Sequence, residues 1–357
     1  MSSKGSVLVA MSGGVDSSVA ACLLQEQGYD VVGSHMRLVH LDGVEHGCCG
    51  PAARTDAAEV ARVAAFPFEI CDLSDEFERT VIADFVAEHE AGRTPNPCAR
   101  CNGEIKFGAF LRRADELGID SVATGHYVRT DRDDGRVRLL RGADRTKDQS
   151  YMLHMLGQLE LSRSLFPIGG IPKAETRALA ERFGLPVANK PDSQELCFAP
   201  SGEADAYLET VAPHLMGEGE VVDTDGRVLA LHRGAAVFTV GQRRGLGVAG
   251  PEPSYVLEID AAANRVVVGP GELLACAGVL ADRVTWVAGG PPSDGPFEAE
   301  VRLRYRGDDV PAVVEPLGDG IRVELRTPQR GIAPGQSAVL YRGDELLGGG
   351  RIIDVLR

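Results

Sequence analysis

Ser6–Ala10 (SVLVA) runs straight into Met11-Ser12-Gly13-Gly14-Val15-Asp16-Ser17-Ser18, and then into a stretch with Val19, Ala20, Leu23 and Leu24 at helical spacing that Gly28 stops. A short apolar strand, a Gly-Gly turn and a helix start together make an anion cradle. The glycines let the backbone come close, the amide N–H groups point outward, and the helix dipole adds positive potential. Ser12, Ser17 and Ser18 add hydroxyl donors. The Gly-Lys-Ser/Thr ending of a Walker loop is missing. The bland alternative is a glycine turn followed by an Asp/Ser helix cap. It suits an isolated Ser-Gly-Gly better than seven residues set between a strand and a helix.

Working outward, strand and helix patterns alternate to about residue 200. Asp30–Met36, Pro67–Cys71 and Asp120–Thr124 read as strands. Arg54–Ala65, Glu76–Glu90, Ile105–Leu117 and Lys173–Phe183 read as helices. Such alternation predicts an α/β domain, a parallel sheet with helices on both faces. Beyond about residue 205 strand-like runs come every ten or so residues. They are separated by turn signals: Asp225-Gly226, Asn264-Arg265, Gly269-Pro270-Gly271, Asp319-Gly320 and Gly343-Asp344. That rhythm predicts antiparallel β structure ending in a small barrel. Gly289–Pro296 reads as a loop or linker. The expected division is 1–204, 205–275 and 276–357.

The 357 residues are 44% hydrophobic and 25% charged, which excludes disorder as the dominant state. No run approaches the roughly 18 apolar residues of a membrane span, and the first residues do not read as a signal peptide. Eight cysteines are too sparse for a secreted disulfide scaffold, so a reduced, cytoplasmic protein is expected. The net charge of −15 argues against blanket attraction to phosphate, so any nucleic-acid contact must be local. Arg243-Arg244 and Arg302/Arg304/Arg306 are the candidate patches. On a strand, the i, i+2 spacing of the latter puts three arginines on one face.

Cysteine supplies the second constellation. In Thr94-Pro95-Asn96-Pro97-Cys98-Ala99-Arg100-Cys101-Asn102 two prolines stiffen the approach to a cysteine pair on a loop before the helix around 105–117. Nearness to a helix start, Arg100 and Lys106 predicts lowered thiol pKa values. Cys197, in Asp192-Ser193-Gln194-Glu195-Leu196-Cys197-Phe198, is the distant third. Three readings stand. Cys98 and Cys101 could be half of a zinc site, with Cys48-Cys49 as an awkward other half. Cys98, Cys101 and Cys197 could hold a [4Fe-4S] cluster with one iron open. Two of the three could carry sulfur as thiolate and persulfide. Cys22, Cys71 and Cys276 sit in apolar patterns and read as core.

SGGVDSS resembles the pyrophosphatase loop (PP-loop) of adenine-nucleotide enzymes that split ATP into AMP and pyrophosphate. Together with TPNPCARCNGEIKF, the chain resembles the tRNA-specific 2-thiouridylases, which put sulfur on C2 of the wobble uridine. The likeness continues through Ala123–Tyr127, Lys147–Tyr151, Phe166–Gly169, Asp192–Phe198, Thr239–Gly247, Arg304–Arg306 and Gln329–Gln336, nearly the whole chain in order.

This resemblance implies that Ala10, Met11, Ser12, Gly13, Gly14, Val15, Asp16, Ser17, Met36 and Gly125 bind ATP, with Asp16 helping to hold Mg²⁺. It implies Cys101 as nucleophile and Cys197 as persulfide carrier. Asn96, Pro97 and Cys98 would face the target base, and His126, Lys147, Asp148, Gln149, Arg304, Tyr305 and Gln336 would contact tRNA. A cysteine desulfurase or sulfur carrier would supply sulfur. No membrane partner is implied. Well-known members have Asp where this chain has Cys98. The exchange weakens a carboxylate acid/base role there and adds a third sulfur for a cluster. The competing readings are another ATP-pyrophosphatase, such as an amide-forming ligase, and a non-catalytic tRNA- or metal-binding module.

Overall fold

The computed structural model describes residues 3–39, 50–192, 196–199, 204–250 and 252–357. Cys48 and Cys49 lie outside these, and so does Ser193–Glu195.

The N-terminal sheet is five-stranded and parallel. Its order is Phe68–Asp72, Asp30–Arg37, Ser6–Ala10, Ser121–Ala123 and Ser164–Leu165. The central strand alternates its faces. Val7 and Val9 pack with helices Val15–Glu26, Pro51–Ala64 and Lys173–Arg182, whereas Leu8 and Ala10 pack against Phe107, Phe110, Leu111 and Ala114 on the other side. Both faces are dry, which a parallel sheet requires. Each fully buried Val or Leu contributes roughly 1.5–3 kcal/mol.

The second half holds a four-stranded sheet ordered Tyr255–Asp260, Arg265–Gly269, Gly219–Val222, Val228–His232. Its middle pair is parallel, a departure from the expected all-antiparallel pairing. A closed antiparallel barrel follows. Its strands are Ala275–Trp286, Phe297–Arg302, Val310–Leu317, Gly320–Arg330, Ser337–Arg342 and Glu345–Leu356, with the first strand pairing the last. The turn pairs at 225–226, 264–265, 319–320 and 343–344 join consecutive strands as expected, and 289–296 is a loop between barrel strands.

Three further features depart from the sequence reading. The hairpin Val128–Asp133/Arg136–Arg141 leaves the N-terminal domain and pairs Leu139 and Leu140 with Leu346 and Glu345 of the barrel. Its signal was the Asp134-Gly135 turn, where both residues take positive φ (48° and 78°). The cysteine pair does not sit on a loop. Helix begins at Pro97 and continues through the wider π-helical turns Asn102–Ala109 to Phe110–Glu116. The arginine strand ends at Arg302. Arg302 is drawn inward to Asp309 and Asp148, and Arg304 and Arg306 lie on an exposed turn.

Candidate active site

The glycine loop is built by close approach. Gly13 takes φ +68°, and a Cβ there would lie 2.1 Å from the Ala53 carbonyl oxygen. A Cβ on Gly125 would come within 2.6 Å of the Ser17 nitrogen, so only glycine lets the fourth strand's end reach the start of the loop helix. Gly14 precedes that helix in extended conformation. Ser18 Oγ donates to its carbonyl at 2.8 Å, and the Ser12 amide donates to Ser17 Oγ at 3.2 Å. Ala10, Met11 and Val15 are buried supports, and Met36 is half-buried on the neighbouring strand.

The loop lacks a lysine of its own, and the tertiary structure brings two. Lys190 Nζ donates to the Gly13 carbonyl at 3.0 Å and pairs with Asp56 at 2.6 Å. Lys173 Nζ donates to both Asp16 oxygens, at 2.7 and 2.8 Å, and Tyr127 OH donates to Asp16 Oδ1 at 2.8 Å. Burial first, then the Asp16 charge, pushes the Tyr127 phenol upward, so it stays a donor. Asp192 joins the group through Lys173, Lys147 and Arg177. None of Lys173, Lys190, Tyr127 or Asp56 stood out as a site residue in the sequence. The usable signal for Lys190 was its place two residues before the Asp192–Phe198 motif.

The three cysteines of the second constellation lie within electrostatic reach of one another. Asn96 caps the short helix, its Oδ1 accepting from the Ala99 amide at 3.2 Å, and Pro97 is the first helical residue. Cys98 and Cys101 therefore lie one turn apart. Cys197 sits in the tight Leu196–Ala199 bridge. Phe198 anchors that bridge among Phe77, Phe85 and Tyr207, with ring centroids 6.0, 5.2 and 4.8 Å away. The expected low thiol pKa values are reversed. Burial pushes Cys98 up, and the charge of Cys197 pushes it further, against Lys106. Burial drives Cys101 up to about 12; Lys106 opposes this, and Cys197 and Cys98 add to it. Desolvation inside the Phe77, Phe85, Ile105, Phe198 cluster outweighs one lysine.

The residues implied to contact tRNA divide into two sets. Lys147 is part-exposed, and Arg304 and Tyr305 are exposed. Burial first raises the Tyr305 phenol; the charges of Asp148 and Cys98 raise it further, and those of Arg306 and Lys147 oppose them. Arg243 and Arg244 are also exposed. The others are turned to internal work. His126 is buried beside Thr124 Oγ1 at 2.8 Å, and burial, then Lys106, hold it neutral. Asp148 accepts from the Gly142 amide and Ser150 Oγ and faces Arg141 and Arg302. Gln149 accepts from the Tyr127 amide. Gln336 donates to the Thr94 and Pro95 carbonyls at 2.9 and 3.2 Å, clamping the cysteine approach to the barrel. Thr94 Oγ1 also reaches Thr239, and the Thr94 amide reaches the Pro334 carbonyl. The 94–98, 239–242 and 329–336 motifs thus meet at one point.

Among the described residues no three His, Cys, Asp or Glu side chains are grouped to hold a metal ion, and no helix is long and apolar enough to cross a membrane.

Three family models match in succession. They are a tRNA methyl transferase HUP domain over residues 5–201, a tRNA methyl transferase PRC-barrel domain over 206–270 and an aminomethyltransferase β-barrel domain over 277–352. Curated relatives match nearly end to end. The tRNA-specific 2-thiouridylase MnmA of Heliobacterium modesticaldum is 48% identical, covering 98% of this chain and 93% of its own. That of Geotalea uraniireducens is 46% identical, covering 97% and 94%. That of Chloroflexus aggregans is 48% identical, covering 97% and 98%. A glycine loop that close backbone approach shapes, a thiol trio and matches over the full length converge: the chain belongs to the tRNA-specific 2-thiouridylase family.

Proposed function

We propose that the chain uses ATP to replace the C2 oxygen of the wobble uridine of tRNA with sulfur. One observation carries this reading. Lys190 touches the glycine loop through the Gly13 carbonyl, and Cys197, seven residues further on, lies within electrostatic reach of Cys98 and Cys101. This supports a reading in which nucleotide and sulfur meet at one place.

The C2 oxygen of uracil is a poor leaving group. Its attack on the α-phosphorus of ATP expels pyrophosphate and leaves it carrying AMP. The loop amides, Lys173 and Lys190 are placed to meet the phosphate charge. Cys197 carries a persulfide. The Cys101 thiolate attacks its inner sulfur, the S–S bond breaks, and hydrosulfide leaves as a Cys101–Cys197 disulfide forms. Hydrosulfide adds to C2, AMP departs, and a reductant returns the disulfide to two thiols. Sulfur enters from a cysteine desulfurase or carrier. Burial keeps the resting Cys101 thiol protonated, so Cys101 must lose its proton after substrates bind.

Mg²⁺ takes one or two carboxylates plus phosphates, and Asp16 is the carboxylate nearest the loop. Both its oxygens are held by Lys173, so the residues as placed do not form a ready magnesium site. The thiol trio likewise does not form a metal-holding group, and we assign no step to an iron–sulfur cluster. In this reading Cys98 meets the base as a neutral thiol, its pKa raised by burial. Asn96 and Pro97 shape that wall, and Lys147, Arg304 and Tyr305 carry the RNA contacts. An anticodon base must be turned out to reach them. In this reading 1–204 activates the base, and 205–275 and 276–357 position the RNA.

The test supplies ATP, unmodified tRNA and a persulfide donor, followed by mass analysis of the nucleosides. 2-Thiouridine with equimolar AMP is expected, and Cys101→Ser and Cys197→Ser should each abolish it. Bound but unchanged tRNA, with or without release of AMP, overturns the reading.

A further inference from the structure

Arg302 turns inward from the barrel, whereas Arg304 and Arg306 stay at the surface. Its Nε and Nη2 donate to the two Asp309 oxygens at 2.9 and 3.1 Å, and its Nη1 lies 3.6 Å from Asp148 Oδ2. Arg141, at the end of the hairpin, reaches the same two carboxylates, Asp148 at 3.7 Å and Asp309 at 2.9 Å, with its guanidinium 3.5 Å over the Tyr341 ring. Ser150 Oγ gives its proton to Asp148, so the Tyr341 hydroxyl, 3.1 Å away, donates to Ser150 Oγ. Two arginines and two aspartates thus balance at a place where the Arg141 and Asp148 side chains are only 2% and 3% exposed.

Such a cluster is a poor source of stability, because taking charges out of water offsets most of their attraction. It is a good source of register, because each buried charge tolerates few placements. Arg302 ends the strand Phe297–Arg302, and Asp309 stands directly before the strand Val310–Leu317, so the fork between them closes the neck of the turn 303–309. Within that turn the Gly307 amide donates to the Arg304 carbonyl at 2.9 Å, and the exposed Tyr305 ring leans on Tyr151, centroids 6.0 Å apart. Asp148 is the chain neighbour of the part-exposed Lys147. One buried carboxylate therefore stands at the base of both Lys147 and the Arg304-Tyr305 turn, although these come from different domains.

We propose that Arg302 is a positioning residue for RNA: by forking to Asp309 and reaching Asp148, it holds the Arg304-Tyr305 turn in register with Lys147, so that the two domains grip one RNA backbone together. The proposal rests on the functional reading above. Backbone phosphates follow one another at set spacings, so cations on two domains serve the same strand well only when the distance between them is fixed, and such contacts set the register of the nucleic acid. A turn released from Asp148 keeps its charges but must be ordered during binding, and that ordering costs affinity. Lysine does not replace Arg302 in this role, because a point charge on a flexible stem lacks the planar fork that serves two carboxylates at once. The nucleotide end of the site shares none of these residues.

The test measures dissociation constants of the full chain for unmodified tRNA, at one salt concentration, and for ATP. Arg302→Met combined with Asp309→Asn removes one charge of each sign and leaves the cluster neutral. This double variant should bind tRNA about tenfold more weakly, with ATP affinity held within about twofold. The decisive comparison is Arg304→Gln, made in both backgrounds. In the unsubstituted protein it should weaken tRNA binding about three- to tenfold, as loss of a phosphate contact does. In the double variant it should weaken binding less than about twofold, because the two sites are coupled through the turn. Arg302→Lys keeps the charge and loses the fork; it should also shrink the Arg304→Gln effect, and it decides the matter if the double variant fails to fold. An Arg304→Gln effect of full size in the altered backgrounds, no Arg304→Gln effect in the unsubstituted protein, or equal losses of tRNA and ATP affinity overturns the proposal and leaves the functional reading standing. Failure of the unsubstituted protein to bind tRNA overturns both.

Discussion

The two ends of the site solve opposite electrostatic problems. At the glycine loop charge is kept and paired: Asp16 with Lys173, Asp56 with Lys190, Asp192 with three cations. At the thiol end charge is suppressed, because Cys101 is buried among Phe77, Phe85, Ile105 and Phe198 and only Lys106 favours its thiolate. The difference teaches that the glycine-loop end keeps its charges paired at rest while burial keeps the Cys101 thiol protonated.

The contrast is sharpest in its pH dependence. A thiol whose pKa lies far above the solution pH gains thiolate tenfold per unit. Alkylation of Cys101 in the free protein should therefore rise about 100-fold from pH 7 to 9. ATP affinity should stay flat over the same range, because burial-opposed hydrogen bonds hold Asp192 at about 2 and the Asp192 hydrogen bond raises Lys147. A plateau in the alkylation rate near pH 8 would break the comparison by showing an ionised resting thiol.

Gly125→Ala attacks the nucleotide end alone. Its Cβ would press within 2.6 Å of the Ser17 nitrogen, and such overpacking costs about 1–3 kcal/mol. ATP affinity measured by calorimetry should fall roughly 5- to 150-fold, with Cys101 alkylation unchanged. An equal fall in both would show that the two ends are one rigid unit.

Lys106→Met attacks the thiol end alone and more gently. Removing the positive charge takes away the influence that lowers Cys98 and Cys101, so their pKa values rise further. Alkylation at pH 8 should slow by about three- to tenfold, with ATP affinity held. Faster alkylation would reverse the assigned sign.

Much of this was legible in the chain. Ser6–Ala10 and the residues after it specify strand, cradle and helix through local rules: an apolar run, glycines where the backbone must turn, helical spacing beyond. The turn pairs at 225–226, 264–265, 319–320 and 343–344 marked the hairpins for the same reason. The Asp134-Gly135 hairpin was missed although its turn is as plain, because its partner strand lies more than 200 residues away in the barrel. The thiol pKa values came out opposite to expectation because sequence neighbours such as Arg100 and Lys106 are visible in a string, whereas burial is not.

By itself the sequence determined most of the elements, the order of the α/β and β-rich regions and the residue types that carry the chemistry, since these follow from interactions within a few residues. Only the tertiary structure decided which cation serves the glycine loop, which carboxylate gathers Lys147, Lys173 and Arg177, and which implied RNA contacts are turned inward. Those facts depend on where distant segments meet and on how much water their meeting removes, and no spacing along the chain encodes either.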